Sequence, residues 1–445
     1  MKVLLIWPNN PEAVLSNELS LCEPLSLEYV AGALKGYHDV KIWDLRLDKP
    51  LSSLAKEYEP DIIGLALPFT TILRFGWDTA QEIKTLWPKC FLILGGHHPS
   101  VSEGWMENFQ ADFVIKGEGG NTFLELVNDI ERNGEKHRPL KTKVLESPKV
   151  IDYDMIPKPN RELLKHHQNN YFHSIYNPVS LIRFSIGCPF SCSFCILWKL
   201  TDRKYITKRF DRIIEELSEI EVNNMYVVDD EAFINPARMD NLANEIRSAQ
   251  IKKKYHMYLR ADTAIKNSST IANWADLGLD SVLVGAESFS ENELIDYNKK
   301  AMVSDTIEAV KIFHENNIKI RANFIVRPDF NEDDFKRLED TVHKLGIDLP
   351  SFAVLTPLPG TDLHAKHKHE LIANNPDLYD CYHTLFPTLL HLEHFYELFS
   401  KLIYNTSKKN KEISNNSPMF YFSNDNYFEI MINKIRDAHK LYELI

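Results

Sequence analysis

The chain has little of what three common protein classes need. It has no apolar run long enough to span a bilayer. Its opening apolar run ends at Pro8, Asn9 and Asn10, before the longer apolar core and small-residue cleavage site of a secretion signal. It has no excess of positive charge: 51 Lys and Arg stand against 63 Asp and Glu, a formal net charge of -12. Phosphate-backbone binding runs on a basic surface, so nucleic acid is not an expected partner. Cysteine is scarce, six in 445 residues, which excludes a disulfide-stapled scaffold. The expectation is a cytoplasmic protein with no transmembrane segment. Aromatic-rich helical stretches in the last third leave association with a surface open.

What is present is globular in character. Hydrophobic residues make up 44% and charged residues 26%. This length implies two or three domains. Residues 1–135 alternate short apolar runs (Val3–Ile6, Val40–Trp43, Ile62–Leu67, Phe91–Leu94, Phe113–Ile115) with helix-like segments such as Leu25–Leu34 and Thr79–Leu86. Buried strands separated by helices imply a doubly wound, Rossmann-like parallel sheet, whose ligands bind beyond the strands' carboxyl ends. That rim holds Pro68–Thr71, Gly95–Pro99 and Lys116–Gly119. Residues 136–178, rich in Lys and Pro, read as a connector. A second βα series fills 179–361, with strands at Leu181–Ser185, Met225–Val228, Tyr255–Leu259, Ser281–Val284, Ile320–Ile325 and Phe352–Leu355. Six such units suggest an open, partial (β/α)6 barrel with its active residues after the strands. Asp305–Glu308 reads as a capping box, and Asp333–Lys344 as a helix stopped by Gly346. Residues 362–445 read as helical, broken by Pro376, Pro387 and Pro418, with a flexible polar stretch at 405–417.

The scattered Cys22, Cys90 and Cys381 fit small buried hydrophobes. Cys188, Cys192 and Cys195 do not: they cluster with Gly187 and Pro189 after the first barrel strand, spaced Cys-x3-Cys-x2-Cys. Thiolates at short spacing let one loop wrap an iron–sulfur cubane, and three cysteines leave the fourth iron open to bind a small molecule. A zinc site would need a fourth ligand such as His256 or Cys381. An electron-transfer ferredoxin would supply four cysteines, and three buried thiols so close together make a poor core pattern.

The triplet closely resembles that of the radical S-adenosylmethionine (SAM) superfamily. The resemblance implies a 4Fe–4S cluster whose open iron chelates SAM, cleaved on reduction to a 5′-deoxyadenosyl radical. It implies that Phe194 lies against adenine. Further segments resemble the family at successive strand ends: Asp229-Asp230-Glu231, Arg260-Ala261-Asp262, Gly285-Ala286-Glu287-Ser288 and Pro357–Thr361. Asp229, Gly285, Glu287 and Ser288 are therefore SAM-site candidates. Glu287 and Ser288 can hydrogen-bond the ribose or the methionine ammonium. Arg260, Arg321 and Arg327 are candidates for the SAM carboxylate or a substrate anion, since a guanidinium fork suits carboxylates. For each, a surface ion pair is the competing reading.

The first domain is similar to that of the cobalamin-binding branch of the superfamily, on Cys22–Leu27, Pro60–Leu65, Gly95–Pro99 and Lys116–Gly119. The resemblance implies a cobalamin site at Leu65, Pro68, Thr70, Gly95, Gly96, His97, His98, Glu118 and Gly119. The Asp-x-His-x-x-Gly motif of other cobalamin proteins is absent, as is usual in this branch. A turn with solvated imidazoles is the plainer reading of His97 and His98. The second half also resembles the hopanoid C-methylase group, in Asp296–Lys300, Phe324–Phe330, Pro350–Phe352, Tyr379-Asp380, His383 and Phe395, and shares its Arg327-Pro328-Asp329. These likenesses imply a cobalamin-dependent C-methyltransferase acting on an unactivated carbon of a small or apolar metabolite. Its substrate could be lipid-like or a natural-product intermediate, and its electrons would come from a flavodoxin or ferredoxin. Cobalamin-independent relatives that dehydrate, cyclise or epimerise, and a non-catalytic cluster- or corrin-binding protein, stay open. Tyr379, Tyr382, Phe386, Phe395 and Phe399 line an apolar pocket on one reading and form plain core on the other.

Overall fold

The computed structural model describes residues 1–12, 20–102, 109–407 and 425–444. Most of the expected flexible stretch, from residue 408 on, and Pro418 lie outside the described residues. The chain divides into two compact units. One comprises Met1–Asn17, Glu23–Gln168 and Asn375–Asp377. The other comprises Glu18–Cys22, Asn169–Asn374 and Leu378–Ile445. No helix among the described residues is long and apolar enough to cross a membrane.

The first unit is a parallel sheet of β1 (Lys2–Trp7), β2 (Asp39–Asp44), β3 (Ile62–Ala66), β4 (Phe91–Gly95), β5 (Phe113–Lys116) and β6 (Lys143–Glu146), in the order β2-β1-β3-β4-β5-β6. Side chains alternate across a strand. Val3 and Leu5 pack under helices Leu25–Leu34 and Gly120–Asn133, through Leu27, Ala31, Phe123 and Val127. Leu4 and Ile6 enter a second core with Ala80 and Ile83 of helix Leu73–Leu86. Both faces are thus covered, which is why β3 is buried along its whole length. The order reverses between β1 and β3, the switch at which such sheets bind ligands.

The connector reading of 136–178 is corrected. Lys143–Glu146 pairs in parallel with β5, and residues up to Gln168 belong to the first unit. The strand was missed because it is an edge: three of its four residues are exposed, so it carries no apolar run.

The second unit is a parallel sheet of β7 (Val179–Ile182), β8 (Asn224–Val227), β9 (Lys254–Arg260), β10 (Leu279–Glu287), β11 (Lys319–Val326) and β12 (Leu349–Val354), paired in chain order. The end strands β7 and β12 do not pair with each other, so the barrel is partial. Outward side chains such as Met225, Val227, Tyr255, Met257, Val282 and Ile320 are fully buried beneath the helices. The register stacks inward residues in layers. The lowest holds Tyr226, His256, Ser281 and Lys319. The next holds Tyr258, Leu283, Arg321 and Leu349. Above it come Arg260, Gly285, Asn323 and Ser351.

Three expectations shift in detail. The first barrel strand ends at Ile182, and Ser185–Ile186 pairs antiparallel with Ile206–Thr207. Asp305 is the third residue of helix Val303–Glu315, not its cap. Its carboxylate accepts from Met302 N–H at 2.8 Å. The next helix, Glu332–Leu345, carries the reciprocal cap: Asp334 N–H donates to Asn331 Oδ1 at 3.1 Å and Asn331 N–H to Asp334 Oδ2 at 2.9 Å. It ends at Gly346, whose φ of 65° is left-handed. Phe395 and Phe399 of helix Leu392–Thr406 are fully buried, Phe395 against Phe335, so these two aromatics are core.

Candidate active site

The loop bearing Cys188, Cys192 and Cys195 leaves the barrel after β7 and is held from below by carboxylates at the end of β8. Asp229 accepts from Phe184 N–H at 2.7 Å and from the Ser185 hydroxyl. Asp230 accepts from Gly187 N–H at 2.8 Å. Gly187 sits at φ 90°, where a Cβ would lie 2.0 Å from Lys204 O, so only glycine makes this turn. From the side, Asn298 donates to Ser191 O at 2.7 Å and Ser193 N–H to Tyr297 O at 2.9 Å. The Pro357–Thr361 segment closes the other flank. Leu363 N–H donates to Ser193 O at 2.9 Å and Lys199 Nζ to Gly360 O at 2.9 Å. Phe194 meets Tyr297 edge-on at 5.7 Å. Asp229 is thereby a scaffold residue: both oxygens hold the loop's root. Burial pushes its carboxyl up to about 6.

Among the described residues, Asp48, His166 and His167 form the one trio of possible ligand atoms all within 4.8 Å of one another. The three cysteine sulfurs do not form such a trio. The proposed fourth zinc ligands are placed elsewhere. His256 lies in the lowest inward layer, bonded to Ser281 at 2.9 Å. Cys381 lies beside β12, its carbonyl accepting from Val354 N–H at 2.7 Å. Burial raises the Cys188 thiol to about 11 and Cys195 to about 12, so metal binding must displace their protons.

The three candidate arginines part company. Arg260 reaches the triplet: Nη1 lies 3.7 Å from Cys192 Sγ, its guanidinium stands over Phe190 at 3.9 Å, and Nε donates to Asp262 at 2.8 Å. Arg327 is corrected. Its fork is taken by Asp329 through two bonds of 2.8 Å, with Asp296 at 3.2 Å, so it is an ion-paired residue. Arg321 lies in the layer beneath Arg260 and does not meet the triplet.

At the end of β10, Glu287 has φ 61° and a register slip that turns its side chain inward. Its Oε1 meets Lys299 Nζ at 2.6 Å, both side chains at most 10% exposed. Gly285 makes room for this pair: a Cβ there would lie 2.4 Å from Glu287 Oε1 and 2.7 Å from Lys299 Nζ. The Ser288 hydroxyl donates to Glu293 at 2.6 Å and accepts from Ser290 N–H. Two residues were not singled out from sequence. Lys299 lies within the Asp296–Lys300 segment. Glu231, buried with its carboxyl raised to about 8, accepts Arg260 N–H at 2.7 Å. The acidic run after β8 was the available signal for it.

In the first unit the rim beyond β3, β4 and β5 gathers the other candidates. Gly96 at φ 120° folds against Leu67, where a Cβ would meet the carbonyl at 2.8 Å. The Thr70 hydroxyl and His98 Nδ1 lie 2.9 Å apart. Burial lowers His98 to about 4, so its ring is neutral near pH 7. At Gly95 a Cβ would find nothing nearer than 3.8 Å, which leaves the strand end open to a flat ligand. Pro68 is buried, His97, Glu118 and Gly119 are half-buried, and Phe69 stands 62% exposed at the same rim. Leu65 is corrected: it is 1% exposed and packs in the core with Leu4, Ile6 and Leu94. It precedes the strand's end, where side chains still point into a covered face.

Two family models match the chain: the B12 binding domain over residues 12–127 and the radical SAM superfamily over 182–342. The chain carries a B12-binding domain and a radical SAM domain. The radical SAM domain implies a 4Fe–4S cluster, SAM, a reductant and a small-molecule substrate, and the first domain implies cobalamin. The chain is 28% identical over 406 residues to the hopanoid C-3 methylase of Methylococcus capsulatus, covering 89% of this chain and 78% of the relative. It is 28% identical to an uncharacterised methyltransferase of Pyrococcus horikoshii, covering 91% of each. In fold it is similar to the radical SAM methyltransferase TsrM from Kitasatospora setae, solved with cobalamin and a [4Fe–4S] cluster (TM-score 0.67, 16% identity, 98% of this chain and 99% of that one).

Proposed function

We propose that the chain is a cobalamin-dependent radical SAM C-methyltransferase acting on an unactivated carbon. The observation that carries this is the conjunction in one chain of a braced Cys188–Cys192–Cys195 loop over a partial barrel and a B12-binding sheet with an open Gly95–Gly96 rim. When bound, the reduced cluster with SAM supplies a hydrogen-abstracting radical, and methylcobalamin supplies a methyl group.

The chain's own residues then have these roles. Cys188, Cys192 and Cys195 are the cluster ligands. Arg260 Nη1, 3.7 Å from Cys192 Sγ, places a hydrogen-bond donor beside that cluster ligand. Phe194, Gly285, Glu287 and Ser288 form the SAM cradle, with Lys299 holding the Glu287 side chain in place through a 2.6 Å contact. Asp229 positions the loop. Thr70, Gly95, Gly96, His97, His98, Glu118, Gly119 and Pro68 form the corrin rim, where the neutral His98 is oriented through Thr70. A flavodoxin or a ferredoxin is the proposed reductant. The cytoplasm is the proposed compartment, since cluster-ligating thiols must be kept from forming disulfides. An apolar metabolite, lipid-like or a natural-product intermediate, is the substrate class, in keeping with the hopanoid C-3 methylase relative.

The test is anaerobic turnover of reconstituted protein with SAM, cobalamin and reductant. The expected result is release of 5′-deoxyadenosine and S-adenosylhomocysteine, with 5′-deoxyadenosine lost in Cys192→Ala. Equal release of 5′-deoxyadenosine by that variant would overturn the cluster assignment.

A further inference from the structure

Resting on that reading, we infer that Arg321 is the anchor for an oxyanion at one end of the substrate, held inside the barrel one strand layer below the ring that meets Cys192. The substrate class is then an apolar small molecule ending in a carboxylate or phosphate.

The case begins with charge. Arg321 is half-buried on the inward face of β11. Among the described residues no carboxylate pairs with it. Among the described residues its side chain bonds to His173, with Nη1 3.3 Å from Nε2. His173 Nδ1 meets the Ser20 hydroxyl at 2.8 Å, which fits a neutral ring with its proton on Nδ1. Burial first, and the Arg321 charge second, hold that histidine well below its ordinary range. The other groups within electrostatic reach of Arg321 are Tyr226, Tyr258 and Tyr382, all neutral near pH 7. Neighbouring cations are compensated: Lys319 pairs with Asp280 at 2.8 Å, Arg260 with Asp262 at 2.8 Å and Lys299 with Glu287 at 2.6 Å. Among the described residues, then, the Arg321 guanidinium has no anion against it in a chain of net charge -12. Burying an unpaired charge is costly, and a planar fork is suited to carboxylate and phosphate.

The surroundings form a site. Tyr176 stacks on His256 at 3.3 Å and His173 on Tyr226 at 4.2 Å, closing the barrel floor. Above this floor is a cavity of about 20 Å³, with His173, Tyr226, Leu283, Arg321 and Leu349 among its walls. It has room for a water or one small polar group rather than a whole substrate. Asn323, in the next layer up, turns a buried Oδ1 with no hydrogen-bond partner toward the interior. Two residues along a strand span about 7 Å. Arg321 therefore sits too low to share the Arg260 layer, and an end group bound there would direct the rest of a molecule upward past Leu283.

The test uses anaerobically reconstituted protein and thermal shift with hexanoate, hexyl phosphate and hexanol. The inference predicts a concentration-dependent rise in Tm with hexanoate, hexyl phosphate or both, and none with hexanol. The two anions tell a carboxylate from a phosphate terminus. Arg321→Gln is expected to raise Tm without ligand, because a lone interior charge is removed, and to weaken the anion response at least tenfold. Arg321→Lys should keep part of it. Asn323→Asp, which places a carboxylate one layer above the guanidinium, should also weaken the response. An equal response to hexanol, or an undiminished anion response in Arg321→Gln and Asn323→Asp, overturns the inference. The proposed function fails separately: protein that binds the anions through Arg321 but never cleaves SAM refutes that reading alone, and protein that cleaves SAM without an Arg321-dependent response refutes only this one.

Discussion

Replacing Lys299 by Met removes the cation that faces Glu287 and leaves the carboxylate in place. The pair is separated by 2.6 Å, with side chains 6% and 10% exposed, so solvent cannot take over the role of the lysine. Removing one partner of such a buried pair costs about 3–5 kcal/mol, against at most about 1 kcal/mol for a surface pair. The loss is expected in urea unfolding of anaerobically purified protein followed by far-UV circular dichroism. It should also weaken SAM binding, because the Glu287 side chain loses the contact that holds it in place. Adding Glu287→Gln to Lys299→Met should recover at least half of the lost stability, since no charge is then stranded. A Lys299→Met loss under about 1 kcal/mol, or no recovery in the double variant, would refute the buried-pair argument.

Other expectations follow from single contacts. Gly187→Ala puts a Cβ against the Lys204 carbonyl, so iron bound per chain after reconstitution should fall sharply while far-UV circular dichroism stays close to wild type. Gly96→Ala meets the Leu67 carbonyl at a left-handed φ, and corrin retained through gel filtration should drop at least tenfold. His98 has a folded pKa of about 4, below its ordinary 6.5. Its contribution to stability is therefore full above pH 6.5 and is lost as pH falls through 4. Urea midpoints of His98→Gln measured between pH 7 and pH 4 should decline less than those of wild type.

Much of the architecture is legible from apolar runs, because both sheets are parallel and covered, so their strands are nearly continuous hydrophobic segments. β6 escaped for the opposite reason, being an exposed edge. The cysteine triplet is a local pattern and is readable directly. The partners of the arginines are less so. Arg327 carries its own answer two residues on, in Asp329, but choosing the ion pair over a ligand requires the side-chain directions. Glu287 and Lys299 lie twelve positions apart, and only the bulge at φ 61° turns the one toward the other. Leu65 shows a limit of strand-end reasoning: one residue before the end of β3, a side chain still belongs to the core. The lack of a carboxylate beside Arg321 among the described residues has no sequence signature, since Asp280 and Asp348, the acids near its strand's start, serve Lys319 and the Ile320 backbone instead.

The central claim is that one chain carries both a three-cysteine cluster and a corrin. The most direct measurement is the cobalt and iron content of protein reconstituted anaerobically with cobalamin, iron and sulfide and then passed through gel filtration. The account predicts cobalt at about one per chain and iron at about four per chain, with iron alone lost in Cys192→Ala. Cobalt that does not stay with the protein, or iron unchanged in that variant, would contradict it.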